Sequence, residues 1–271
     1  MSAPVTNEYL EPFEQMLGEH FAPAQVRAME AGEDTGAMQA VEASGFLDAL
    51  VAEDAGGAGL GLTDVAPLWM ALGRHAVPAG IGEAMIDRAT GENEPERREN
   101  AAALLHAALI AGAADRLLAM AVDHSNERVQ FGKPIGKQQA LQQQLAVMAQ
   151  DCVAMRLAVE LAASGGWPGR AQAAMAKTVA AEAAPRVANT AHAVFGAIGI
   201  SAEHDLNLYT RAIHRWRLEG GAQTYWSRML GEDVLSGEVP GDANSSVDWV
   251  RVHLFGQALR SGDQQLVGKW H

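Results

Sequence analysis

The sequence has one cysteine, Cys152, in 271 residues, which excludes an internal disulfide and every cysteine-rich zinc site. Aromatic residues make up only 6% of the chain, and the alternation of β-branched and aromatic side chains that marks strands is nearly absent. Basic residues are also scarce. Twenty lysines and arginines face thirty-three acids, a formal charge of −13, and the acids are spread along the chain, which argues against a nucleic-acid surface. The opening "MSAPVTNEYLEPFEQ" lacks the basic run and apolar core of a leader, so a cytoplasmic location is expected. The longest apolar run, "AAALLHAALIAGAADRLLAMAV", is mostly alanine and is interrupted by His106, Asp115 and Arg116. It reads as a buried helix, and no membrane association is expected.

Several chemistries are missing as well. No Glu-x-x-His or His-x-x-x-His places metal ligands on one helical face, and no G-x-S-x-G marks a nucleophile elbow. "GKPIGKQ" has its glycines four apart and Gln138 where a P-loop needs Ser or Thr. "GGAGLGLTD" follows no strand and lacks dinucleotide-fingerprint spacing, so it reads as a loop ended by a Thr63 or Asp64 cap.

What is present is helix-forming sequence: alanine, leucine, methionine and glutamine, with 48% hydrophobic residues in all. Leu141, Leu145, Met148, Cys152, Met155, Val159 and Ala162 step by fours and threes, the seam of a bundled helix, which makes Cys152 a core residue. Further long helices are expected over residues 100–125, 171–195 (with a kink at Pro185) and 205–235. The expectation is an all-α chain: a small N-terminal helical domain (1–90), a charged linker (91–100), an antiparallel four-helix bundle (101–235) and a C-terminal tail (236–271).

Two clusters can carry chemistry. In "ERVQFGKPIG", Arg128, Gln130 and Phe131 sit together at a helix end, where the guanidinium can fork onto phosphate and the phenyl ring can pack on a heterocycle. Alternatively Arg128 caps the helix carbonyls and Phe131 is buried in the turn. In "YTRAIHRWRLEGGAQTYW", Glu219 precedes two glycines, and it is either a general base with a tuned pKa or the ion-pair partner of Arg215.

Together these stretches resemble the acyl-CoA dehydrogenase family. "ERVQFGKPIG" and the glutamine-rich helix start through Gln139 and Gln142 match its C-terminal bundle, and "GFLDALVAEDAGGAGLGLTDVAPLWMALGRHAVP" (Gly45 to Pro78) is similar to its N-terminal helical domain. The resemblance covers most of residues 8–235. It implies that Arg128, Gln130 and Phe131 bind the ADP part of an FAD held mainly by a neighbouring subunit, with Gln139, Gly196 and Gly199 beside it. It also implies that Glu219 stands on the family's catalytic base.

Three departures qualify the match. The family's middle β-domain has no counterpart between the two helical regions. "AVFGAIG" replaces the family's Gln-x-His-Gly-Gly-x-Gly, with Ala193, Phe195 and Ala197 substituted, although Gly196 and Gly199 still admit close backbone approach. Gly221 replaces the usual Thr after Glu219, which in this setting reads as a relic.

The resemblance therefore implies a shortened subunit of a heteromeric, FAD-dependent acyl-CoA dehydrogenase that acts on a bulky, steroid-derived acyl-CoA. A full-length partner subunit would complete it as an α2β2 heterotetramer, and an electron-transfer flavoprotein or similar acceptor would take the electrons. The alternative is a helical scaffold that has lost flavin chemistry.

Overall fold

The computed structural model describes residues 8–91, 93–201 and 203–235, which form ten α-helices and one two-stranded hairpin. The all-α expectation holds among them. Five shorter helices, α1 (Leu10–His20), α2 (Pro23–Glu30), α3 (Ala37–Ser44), α4 (Leu62–Arg74) and α5 (Gly80–Ala89), precede the long α6 (Pro95–Glu127). The hairpin, β1 (Val129–Gln130) and β2 (Lys133–Pro134), leads into α7 (Gln139–Ala163), α8 (Arg170–Phe195), α9 (Leu206–Trp216) and α10 (Gln223–Leu235). The tail read as 236–271 lies outside the described residues. The short connections over 128–138 and 164–169 set α6, α7 and α8 as up-and-down neighbours.

α6 is the centre. It packs on α4, α5, α7, α8 and α9, and its middle is lined with fully buried alanines and leucines. It is long and apolar enough to cross a bilayer by composition, which the sequence reading denied it, but 67% of that window is buried inside the protein. Its start also differs from expectation. Pro95 occupies the first turn, where a missing N–H costs nothing, so helix begins inside the stretch read as a linker. Between α5 and α6 only residues 90–94 remain, where the family resemblance places a β-domain.

The N-terminal helices share one hydrophobic core with the bundle, from Phe13 and Trp69 through Leu109 to Trp216. Two glycines permit this. A Cβ on Gly112 would sit 1.8 Å from the Met70 carbonyl oxygen, and one on Gly73 would sit 2.1 Å from that of Leu109, so α4 and α6 cross backbone to backbone. The seam of α7 is buried at Met148, Cys152, Met155, Val159 and Ala162. Burial pushes the Cys152 thiol up to about 12, which leaves it without thiolate character.

The fourth helix is not one helix. The chain breaks between α9 and α10, where Gly220 and Gly221 take positive φ. α8 runs unbroken through Pro185, and the Ala181 carbonyl, whose partner at position 185 has no N–H, accepts instead from Arg217 Nε at 2.9 Å. One consequence can be measured by denaturant unfolding. Gly112→Ala should destabilise the chain by about 3 kcal/mol, because only backbone can yield at the crossing. Gly18→Ala, on open helix surface, should stabilise it by about 0.5–1 kcal/mol. An unchanged midpoint for Gly112→Ala would contradict the close crossing.

Candidate functional site

The end of α6 and the hairpin build the first cluster. The Ile135 N–H bonds the Arg128 carbonyl at 2.8 Å, and a Cβ on Gly136 would press at 3.1 Å on the carbonyl of buried Ser125, so the hairpin is seated against α6. Both turn residues, Phe131 and Gly132, have positive φ, as a two-residue I′ turn demands. Holding a phenylalanine there costs about 1–2 kcal/mol, and its side chain is 94% exposed. The buried-turn alternative for Phe131 is therefore excluded.

A cavity of about 600 Å³ opens between the hairpin, the start of α7 and the end of α8. Arg128, Gln130 and Gly196 line it together. Gly196 ends α8 at φ 61°, a conformation that needs glycine. The other residues expected beside them stand elsewhere. Phe131 projects into solvent, and Gln139 lies exposed at the start of α7 outside the lining. Gly199 is buried because a Cβ would meet Phe195 and Leu206 at 2.8 Å. No described residue pairs with the Arg128 guanidinium, so its donors are free for an anion. Sequence reasoning missed His124, one turn before Arg128 and in the same lining.

Glu219 occupies the break between α9 and α10. Buried Lys177 donates to the carbonyls of Trp216 and Glu219, closing the open end of α9. Burial first, with Arg217 adding to it and Glu219 opposing, lowers the Lys177 ammonium to about 7. Gly220 lies so close to His106 that a Cβ would stand 2.7 Å from its Nδ1.

The His106 ring is fully buried. Nδ1–H donates to the Ala102 carbonyl at 2.8 Å, which leaves Nε2 as an acceptor 3.4 Å from Glu219 and 3.8 Å from Glu83. Burial, then Lys177, pushes His106 down to about 4. These contacts at neutral pH are therefore acceptor facing acceptor, not ion pairs, and Nε2 has no hydrogen-bond partner. Burial and the Glu219 charge raise Glu83 in turn. The Arg215 partner expected for Glu219 stands 3.9 Å away and is shared with Glu30. The adjoining cleft, about 750 Å³, is lined by charges of both signs. Among the described residues no three side chains are placed to hold a metal ion.

The two clusters lie far apart along α8. From Lys177 to Gly196 is nineteen residues, about 28 Å of helix. A lone lysine and a lone histidine in alanine-rich runs were the only sequence signals for Lys177 and His106.

The buried imidazole makes a pH prediction. In the unfolded chain His106 titrates near 6.5, and in the fold near 4, so between those values the unfolded state holds the extra proton. Stability contributed by the neutral ring is present above about pH 6.5 and lost as pH falls through 4, up to roughly 3 kcal/mol. The raised Glu83 offsets part of this. His106→Gln should lose about 2 kcal/mol less than the native chain between pH 7 and pH 4 in denaturant titrations. Parallel losses would remove His106 from the account.

Residues 97–235 match the family model described as acyl-CoA dehydrogenase, C-terminal domain. An acyl-CoA dehydrogenase IpdE2 of Mycolicibacterium smegmatis is 41% identical over 113 residues, 42% of this chain and 36% of that protein. The chain thus spans about a third of the length of the curated relatives it matches. Its fold matches a chain of the ChsE4-ChsE5 complex from Mycobacterium tuberculosis with a TM-score of 0.73 at 19% identity, covering 89% of this chain and 99% of that one. A chain of the Tcur3481-Tcur3483 steroid ACAD matches likewise, at 0.73 and 18%, covering 85% and 98%. With half its length on the family model, the protein is a member of the acyl-CoA dehydrogenase family.

Proposed function

We propose that this chain is a subunit of a heteromeric acyl-CoA dehydrogenase and supplies half of an FAD site to a full-length partner. The observation that carries the reading is the Arg128 guanidinium, unpaired among the described residues, beside Gln130 and Gly196 in one cavity, in a chain with five residues where a β-domain would stand. These groups suit a diphosphate: a forked cation, a side-chain amide, and a glycine that lets backbone approach. The exposed, strained Phe131 fits a ring that becomes covered only on assembly.

FAD, when bound, supplies hydride acceptance from an acyl-CoA thioester. Arg128 and Gln130 bind and orient it from this side of the interface, and the partner holds the rest, with the thioester pocket and the base. The likeness to the steroid ACAD favours a bulky, steroid-derived acyl group, an α2β2 assembly of two such pairs, and an electron-transfer flavoprotein as acceptor. Glu219 sits beside Lys177, which is about 28 Å along α8 from Gly196 of the Arg128 cavity, and is pressed among Glu83, His106 and the Lys177-held break, with Arg211 and Arg215 in the same cleft. It is assigned a structural role.

In the complex co-expressed with its full-length partner, Arg128→Ala should weaken FAD retention about 10-fold or more, the loss expected for a charge-assisted bond. Unchanged flavin content would overturn the half-site. Glu219→Gln should leave turnover within about twofold, because a group outside the reacting atoms gives up no transition-state contact. A collapse of turnover with flavin still bound would return Glu219 to the catalytic base.

A further inference from the structure

His124 and Phe195 join the two helix ends that frame the Arg128 cavity. His124 lies on the last turn of α6, where its carbonyl accepts from the Arg128 N–H at 2.9 Å. Its ring stacks on Phe195, the last residue of α8, with centroids 4.4 Å apart and planes 24° from parallel. Phe195 is held in turn by the edge-on ring of His204 at 4.9 Å, which itself accepts from the Leu206 N–H. The three rings form a row, of which His124 and Phe195 line the cavity. His124 is half-buried and lines the cavity with Arg128, and among the described residues no hydrogen bond engages either ring nitrogen. An imidazole fixed by stacking with its nitrogens free is a directed donor rather than a core residue.

We propose that His124 is a ligand-binding residue of this cavity, its imidazole N–H donating to a phosphate oxygen of the nucleoside diphosphate that Arg128 clamps. Phe195 is the positioning residue: it fixes the plane in which the imidazole meets the ligand. Burial, with Arg128 and His204 nearby, keeps the ring below its ordinary range and so neutral near pH 7, with one N–H to give. The proposal rests on the reading that this cavity takes the ADP part of a dinucleotide. It adds a third donor side chain, from α6 itself, to Arg128 and Gln130.

The test uses the assembled complex and FAD as the probe. Dissociation is followed by recovery of free-flavin fluorescence, and folding by the unfolding midpoint. His124→Phe keeps the ring stack and removes the donor, His124→Leu removes both, and His124→Gln keeps a donor without the ring. FAD should bind about 10-fold more weakly to the Phe and Leu variants and within about threefold of native to the Gln variant, as loss of one hydrogen bond to a charged group requires. Arg128→Ala separates this proposal from the reading beneath it. If Arg128→Ala weakens binding and His124→Phe does not, His124 is only part of the stack and the proposal fails while the half-site stands. If neither changes FAD binding, the half-site itself is wrong. Should the Phe variant fail to assemble, equal weakening in the Gln and Leu variants would overturn the donor role.

Discussion

The close packing of α6 against its neighbours is the constraint on which the rest of this structure depends. Gly112 and Gly73 bring α4 and α6 to backbone contact, and the alanine-rich α8 packs along α6 as well. Close-packed interiors transmit position faithfully, so a helix buried on most sides serves as a ruler. His106 near one end and His124 near the other are eighteen residues apart, about 27 Å. The two clusters are set at these two levels of the helix.

At the first end the fold spends its polar groups on itself. The break that places Glu219 leaves α9 with open carbonyls, and a buried lysine closes them. Arg217 meanwhile takes up the carbonyl freed by Pro185 in α8. Two cations thus repair two interruptions of backbone bonding, and each would leave a costly unpaired acceptor if removed. A carboxylate in such surroundings is tied to the architecture. At the second end the polar groups point outward: a guanidinium unpaired among the described residues, an amide, an imidazole stacked on Phe195 and an exposed phenyl ring in a strained turn. The contrast between the two ends is the physical content of the functional reading.

Much of the fold was legible in the sequence. The four-three stepping from Leu141 to Ala162 located α7 and its buried face, and the scarcity of strand patterns forecast the all-α class. The break at Gly220 and Gly221 was visible as two glycines but was read through as helix, because periodicity continues on both sides and only tertiary contact with His106 and Trp226 makes the glycines obligatory. Pro95 was read as linker although it opens α6, since a charged stretch looks alike in a coil and in the first turn of a helix. In the site, Arg128 and Gln130 stood out as a local cluster, and the family resemblance gave them their proposed role. Their meeting with Gly196, and the partnership of His124 with Phe195, join segments some seventy residues apart. No local pattern records such a meeting.

The central claim is that this chain holds one half of a cofactor site and cannot hold the whole. It is tested most directly by the visible absorption of the purified protein, alone and after assembly with its full-length partner. The account predicts a colourless isolated chain that takes up no stoichiometric FAD, and a yellow complex. Stoichiometric FAD on the isolated chain would contradict it.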